Sequence, residues 1–546
     1  MNVNVRYFAI IYCKELLFVI TKEFEEKLEK LGAFEISSKM LSLAKNNEKH
    51  NTFLNAGRGN PNWINTQGRL ALARIIEFGV IESERTMHDG NLAGYTSLKD
   101  ISKRFDLFLD GSHTVDNFLK KAMIYCESEL NMDKDQLVKE FVDGAVANNY
   151  PVPSRCLVNT EKILNMYLQK ELYNGVNLSD KTSVFPTEGG TAAICYIFSS
   201  LKENGLINEG DKIAINTPIF TPYLQIPELR DYEMVEIDLA SKEENNWILD
   251  PQELNKLKDD SIKALFLVNP SNPGSRALSQ ETLKHIADIV KERKDLIIIT
   301  DDVYGTFVNG FQTVYSVAPH NTLLVYSFSK LYGATGWRLG VIVANEENVF
   351  DDLIAKLPEE KLKELDKRYG LVKLEPRKMK FIDRIVADSR SVGLYHTSGL
   401  STPQQIQMAL FALSALVTAK CDPYIESAKK LVRSRYHDLF STLGIKEDNS
   451  IENAKYYSLI DIYELASKLY DDKFKEYLKD NFEPIDFLLR LAEMNGVVLM
   501  EGVGFGATQG TLRVSEANLP DDAYAKIAKQ VLELLSEYHT KYNSQK

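Results

Sequence analysis

The chain has 546 residues, a formal net charge of −12, 44% hydrophobic and 26% charged residues, the balance of an ordinary globular protein with material for a large core. At roughly 100–200 residues per domain, this length predicts two to four units. The acidic excess and the lack of a dense Lys/Arg cluster exclude a nucleic-acid partner, because phosphate backbones are held by basic faces.

Near the start, Tyr7 to Ile20 holds two apolar runs, 8–13 and 16–20, broken by Lys14 and Glu15. A bilayer crossing needs about 20 apolar residues, so no membrane span is expected, and 1–21 reads as an extension before a helix starting near Lys22. A signal peptide is the alternative; against it stands the lack of a small-residue cleavage site. The five cysteines (Cys13, Cys126, Cys156, Cys195, Cys421) form no CxxC pair and no zinc spacing with histidine. They read as thiols of a reducing cytosol, so no metal and a cytoplasmic location are expected.

Further along, Asp106 to Asn177 is mostly helical in pattern, with a break at Asn149-Tyr150-Pro151-Val152-Pro153. From Ser179 to Asn345, short aliphatic or β-branched runs alternate with helical patterns, the mark of a largely parallel α/β sheet. The strand candidates are Lys212 to Ile215, Ala264 to Val268, Leu296 to Thr300, Leu323 to Tyr326 and Leu339 to Ala344. Nearly all are continuously apolar, as suits strands covered by helices on both faces. In such sheets the ligand lies beyond the carboxyl ends of the strands. Leu353 to Arg390 is a charged helical stretch, Ser401-Thr402-Pro403 opens an apolar-periodic helix to about Ala419, and a mixed α/β pattern runs from about Pro423 to the end.

The strand ends carry the chemistry. Glu188-Gly189-Gly190-Thr191 opens a helical run, offering free N–H groups and a hydroxyl to an anion; a purely structural Gly-Gly turn is the alternative. Phe220, in Thr217-Pro218-Ile219-Phe220, could lie flat on a cofactor ring or be ordinary core. Asn269-Pro270-Ser271-Asn272-Pro273-Gly274 is a rigid turn, presenting Asn272 as a donor or serving only to reverse the chain. Asp301 in Asp301-Asp302-Val303-Tyr304 ends an apolar strand, where a carboxylate is costly unless paired; a protonated pyridine nitrogen would pair it, and the Tyr304 hydroxyl could bond that ring's phenolic oxygen. Lys330, in Ser327-Phe328-Ser329-Lys330 with Gly333, Gly336, Arg338 and Gly340 beyond, is a nucleophile toward an aldehyde once deprotonated. Arg338 supplies a planar fork for a phosphate. Each has a bland reading alone; in this order they match the needs of a phosphorylated pyridine aldehyde.

The set resembles the class I/II aminotransferase family of fold-type I pyridoxal phosphate enzymes, whose signature is similar to Ser327-x-x-Lys330 followed by Gly336, Arg338 and Gly340. The resemblance implies an α/β fold: a large domain with a mostly parallel seven-stranded sheet sandwiched by helices, plus a smaller α/β domain. It implies pyridoxal 5′-phosphate bound covalently by Lys330, paired with Asp301, bonded by Asn272 and Tyr304, stacked by Phe220, and held at its phosphate by Gly189, Gly190, Thr191, Ser327 and Arg338. Arg513, in Gly510-Thr511-Leu512-Arg513-Val514-Ser515, matches the family's late arginine for the substrate α-carboxylate. Residues 22–88 are then expected to contribute to the small domain, 89–400 to form the large domain with helical insertions at about 106–177 and 353–390, and 401–546 to form the C-terminal small domain.

The surplus length, with Leu54-Asn55-Ala56-Gly57-Arg58-Gly59-Asn60-Pro61-Asn62-Trp63, the Tyr150 segment and His396-Thr397-Ser398-Gly399-Leu400-Ser401-Thr402-Pro403-Gln404-Gln405, resembles one branch of that family. The branch releases the side-chain carboxylate of aspartate as CO2, leaves L-alanine and also transaminates. The resemblance implies amino-acid and keto-acid substrates and a homo-oligomer, with a dimer as minimal unit and a larger assembly such as a dodecamer. Arg58 and Arg390 are candidates for the departing carboxylate, and Tyr150 for a hydrogen-bond or proton donor; exposed loop arginines are the alternative, and His396 reads as structural. An arginine gripping that carboxylate too tightly would oppose its loss as neutral CO2, so a loose contact is expected. The rivals are an aspartate aminotransferase carrying insertions and a non-catalytic assembly protein, which would not need the Asp301, Asn272, Tyr304, Lys330 and Arg513 set.

Overall fold

In the computed structural model, which describes residues 25, 28, 33–45, 53–88, 91–148, 155–238, 249–250, 252–390, 399–418 and 422–545, the apolar runs after Ser179 form a seven-stranded sheet. Its strands are β1 (Thr182–Thr187), β2 (Lys212–Thr217), β3 (Glu233–Asp238), β4 (Ile262–Val268), β5 (Ile297–Asp301), β6 (Thr322–Ser327) and β7 (Gly340–Asn345). Their spatial order is β1-β7-β6-β5-β4-β2-β3. Only β7 runs antiparallel to its neighbours. The segment 328–339 between β6 and β7 has no α-helical crossover to carry the chain back for parallel pairing. The two strands that hydropathy runs did not reveal, β1 and β3, are the sheet edges. There Pro186 is tolerated and Glu233, Glu236 and Asp238 interrupt the apolar pattern.

Side chains alternate across the pleat, so each strand feeds two cores. Along β6, Leu324 and Tyr326 join a core with helices Val158–Leu172 and Thr402–Leu416, while Leu323 and Val325 join one with helices Gly190–Glu203 and Phe381–Asp388. The two surplus stretches thus supply covering helices on opposite faces. Asp388 ties one cover together: it accepts hydrogen bonds from Ser200 Oγ (2.6 Å) and Tyr369 Oη (2.7 Å) and pairs with Arg368 (2.9 Å).

The chain divides into two compact units. The larger comprises Arg58–Ser458 and Ser515–Tyr524, and the smaller comprises the described residues within Met1–Gly57 together with Leu459–Val514 and Ala525–Lys546. Helices Thr402–Leu416 and Pro423–Leu443 fall in the larger unit. In the smaller, Leu54–Asn55 pairs in parallel with Val497–Val498, and Met500–Glu501 pairs antiparallel with Leu512 and Arg513 of strand Thr511–Ser515. Helices Ala33–Lys45 and Asp486–Asn495 pack beside them. Of the helix expected near Lys22, the described residues Glu25 and Leu28 are helical; residues 1–21 lie outside the described set. No described helix is long and apolar enough to cross a membrane.

Candidate active site

The sheet brings the predicted groups of the larger unit to one edge, beyond the carboxyl ends of β1, β2, β4, β5 and β6. At the end of β1, Gly189 (φ 88°, ψ 171°) precedes helix Gly190–Glu203, whose first N–H groups have no partner within the helix. A Cβ on Gly189 would lie 2.4 Å from Nη2 of Arg338, so the guanidinium covers the glycine where a side chain would stand. On Gly340, where β7 begins opposite both Thr187 and Ser327, a Cβ would meet Gly189 C at 2.6 Å. The bare glycines therefore let a cation close over a helix N-terminus. Thr191 is exposed there, and the Ser327 hydroxyl is held by the Leu339 carbonyl at 2.9 Å. A guanidinium and a helix N-terminus that converge in this way offer what an anion needs, by charge and by dipole.

Asp301, the last residue of β5, is 5% exposed, and burial pushes its carboxyl up to about 6 against the ordinary carboxylate value. Its Oδ2 accepts a hydrogen bond from Tyr223 Oη at 2.8 Å and its Oδ1 one from the Val303 N–H at 3.3 Å. Asp302 faces Thr300 and Thr313, and complete burial drives its carboxyl to about 8. Phe220 caps the helix Thr221–Arg230 that carries Tyr223, and the two rings meet edge to face at 5.2 Å. Asn272 is buried in the turn after β4, a turn pinned by Leu278 N–H on Asn269 Oδ1 (2.9 Å) and by Tyr457 N–H on Ser275 Oγ (2.7 Å).

Lys330 lies in the turn after β6, and its Nζ donates to the Gly59 carbonyl at 3.0 Å. The same carbonyl accepts from Tyr456 Oη at 2.9 Å. Tyr304 Oη lies 3.0 Å from Tyr457 Oη, and its ring packs 4.9 Å from that of Tyr456. A Cβ on Gly59 would fall 1.9 Å from Tyr457 Oη, which explains a glycine beside the exposed Arg58. Trp63 anchors the end of this segment through Nε1 on the Leu331 carbonyl at 2.9 Å.

Arg390 is buried two residues beyond Asp388. Tyr150 and His396 lie outside the described residues. Arg513 belongs to the smaller unit, where it is 2% exposed, donates from Nη2 to the Gly57 carbonyl at 2.6 Å and stands 4.5 Å from the Phe505 ring centre. Sequence reasoning missed Tyr223, Tyr456, Tyr457 and the Gly59 carbonyl. Tyr223 had a usable signal, standing three residues after Phe220 and so one turn along the same helix. The Tyr456-Tyr457 pair had none, because its partners are far away in sequence.

The built anion cradle, the buried carboxylate and the lysine at the ends of neighbouring strands fit pyridoxal phosphate, and with this sheet they define a fold-type I pyridoxal phosphate enzyme. The chain belongs to the class I and II aminotransferase family, whose profile matches residues 138–531, and its cofactor is pyridoxal 5′-phosphate. It is similar to a bifunctional aspartate aminotransferase and L-aspartate beta-decarboxylase of a Pseudomonas species, 42% identical over 522 residues that cover 95% of this chain and 98% of that protein. An aspartate aminotransferase of Pyrococcus horikoshii is 29% identical over 40% of this chain and 54% of its own length. Among solved structures, the aspartate aminotransferase of Thermus thermophilus with maleate aligns with TM-score 0.57 and 16% identity over 92% of this chain and 96% of that one. The aromatic aminotransferase of Pyrococcus horikoshii aligns with TM-score 0.57 and 19% identity over 92% and 99%. These two are likenesses of fold.

Proposed function

We propose that the chain removes the side-chain carboxylate of L-aspartate, giving CO2 and L-alanine, and transaminates aspartate as a side activity. One observation carries this reading: the match to the bifunctional Pseudomonas protein spans 95% of the chain, leaving too few residues outside it to omit either helical stretch. The match to the Pyrococcus aminotransferase stops at 40%.

When bound, the cofactor supplies a sink for the electrons released as a proton or CO2 leaves the substrate. Lys330 is the base that takes the proton from the substrate Cα and returns it to the product. Asp301, as a carboxylate, keeps a proton on the pyridine nitrogen. Phe220 lies against the ring, Asn272 and Tyr304 bind its oxygen, and Gly189, Gly190, Thr191, Ser327 and Arg338 hold the phosphate. Arg513 binds the α-carboxylate, while Arg58, Arg390 and Tyr150 orient the carboxylate that departs. That departure discharges an anion, so its contacts must loosen as the bond breaks. Water reaching the substrate first would divert it to oxaloacetate, so exclusion of water sets the ratio of the two activities.

The substrates are small amino acids and keto acids. The assembly is a homo-oligomer built on dimers, with a dodecamer as the larger form that light scattering would detect, and the location is cytoplasmic. Pure protein, cofactor and aspartate without keto acid test the reaction: alanine and headspace CO2 in proportion to aspartate consumed are expected. One equivalent of oxaloacetate per site, with no alanine, would leave an aminotransferase only, and no turnover at all would leave an assembly role.

A further inference from the structure

The proposed role of Asp301 contains a conflict. A carboxyl at the end of an apolar strand, 5% exposed, favours its neutral form, and a neutral acid is no counter-ion for a pyridinium. Something in the site must favour the charged form, and it must persist once the cofactor is in place. The ammonium of Lys330 also lowers the pKa of Asp301, but that amine is the group proposed to bond the cofactor, so it is no longer a free ammonium once the cofactor is in place.

The Tyr223 phenol meets the requirement. Its hydroxyl donates to Asp301 Oδ2 at 2.8 Å, and a donor to a carboxylate stabilises the ionised acid. Tyr223 is 4% exposed, and its ring is wedged between Phe220 (centroids 5.2 Å) and Phe266 of β4 (4.9 Å), both edge to face, so the hydroxyl cannot swing away. One side chain therefore braces both the aromatic proposed to cover the cofactor ring and the carboxylate proposed to meet its nitrogen. The other titratable groups facing the pair are Lys330 from the turn after β6, Asp302 next along the chain and Cys195 from helix Gly190–Glu203.

Resting on the Asp301 reading above, we propose that Tyr223 is a positioning residue whose hydroxyl keeps Asp301 ionised and aimed, and so sets the acid limit of cofactor binding. The test is the dissociation constant for pyridoxal phosphate from about pH 5 to 9 in wild type and Tyr223→Phe, which keeps the ring contacts and deletes the hydroxyl. The acid limb of Tyr223→Phe is expected about one pH unit higher, a loss of about tenfold near pH 6, with affinity near pH 8 within about threefold of wild type. Superimposable curves, or a uniform loss at every pH, would overturn the proposal, the second because it marks packing alone. Asp301→Asn separates the two levels: it should weaken binding and abolish the limb, and adding Tyr223→Phe to it should change nothing further. If Asp301→Asn binds the cofactor like wild type, the reading of Asp301 fails and takes this proposal with it. If Asp301→Asn weakens binding but Tyr223→Phe leaves the limb in place, only the role of Tyr223 fails.

Discussion

Replacing Gly189 by alanine separates backbone strain from loss of the proposed phosphate cradle. At φ 88° and ψ 171° Gly189 occupies a region essentially reserved for glycine, and a residue with a Cβ there costs about 1–3 kcal/mol. The new Cβ would lie 2.4 Å from Nη2 and 2.9 Å from Cζ of Arg338, so the guanidinium must withdraw from the helix N-terminus. A hydrogen bond to a charged group is worth about 1.5–3 kcal/mol. At about 1.4 kcal/mol per decade, losing one raises the cofactor dissociation constant about ten- to hundredfold. Denaturant unfolding of the apoprotein measures the strain, and titration with pyridoxal phosphate measures the cradle. Gly175→Ala is the control: its φ is 83° but nothing lies within 4 Å of its added Cβ. It should cost about 1–2 kcal/mol of stability and leave cofactor affinity unchanged. A Gly189→Ala protein with wild-type affinity for the cofactor would refute the assignment of Arg338 to the phosphate.

Borohydride reduction of the protein with its cofactor should leave a pyridoxyl group on the peptide containing Lys330, and Lys330→Ala should carry none while losing about 10²–10⁴-fold or more in turnover; a labelled peptide elsewhere contradicts the assignment. Asp302 is a carboxyl whose folded value is raised from the ordinary 3.8 to about 8, so the folded apoprotein binds the extra proton and loses stability as pH climbs through that window. Asp302→Asn should therefore melt higher than wild type near pH 8 by a margin that shrinks toward pH 4, and a margin independent of pH counts against a buried neutral acid. Gly59→Ala would press a Cβ to 1.9 Å from the Tyr457 hydroxyl, which packs against Tyr304 and Tyr456. Overpacking of this kind costs about 1–3 kcal/mol, so a lowered melting temperature with reduced kcat is expected, and unchanged values of both would show that the tyrosines yield freely.

The legible part of this molecule is what lies within a few residues of a strand end. The placement of Lys330, Asp301, Asn272, Phe220 and Gly189 at or beyond strand ends could be read because an apolar run announces the strand and the residues after it must turn. The edge strands were hidden for a physical reason: with one hydrogen-bonding edge open, β1 keeps Pro186, and β3, which is also less buried, keeps Glu233 and Glu236. Long-range partners leave no period in a sequence. Tyr223 meets Asp301 across 78 residues, Tyr304 meets Tyr457 across 153, and Lys330 reaches Gly59 across 271.

Those distant partners are also what give the site its second side. The turn bearing Asn272 is tied to the segment before Tyr456 by Arg276 on Asp448 and by the Ala454 N–H on the Ser275 carbonyl at 2.8 Å. That segment in turn delivers Tyr456 to the Gly59 carbonyl and Tyr457 to the Tyr304 hydroxyl. Gly59, next to Arg58, is thus a fixed point, held by a lysine and a tyrosine on its carbonyl and by a phenol where its side chain would be. Arg58 follows from the same contacts: its neighbour is anchored while it is left exposed. An exposed cation beside an anchored neighbour suits the loose contact proposed for the departing carboxylate.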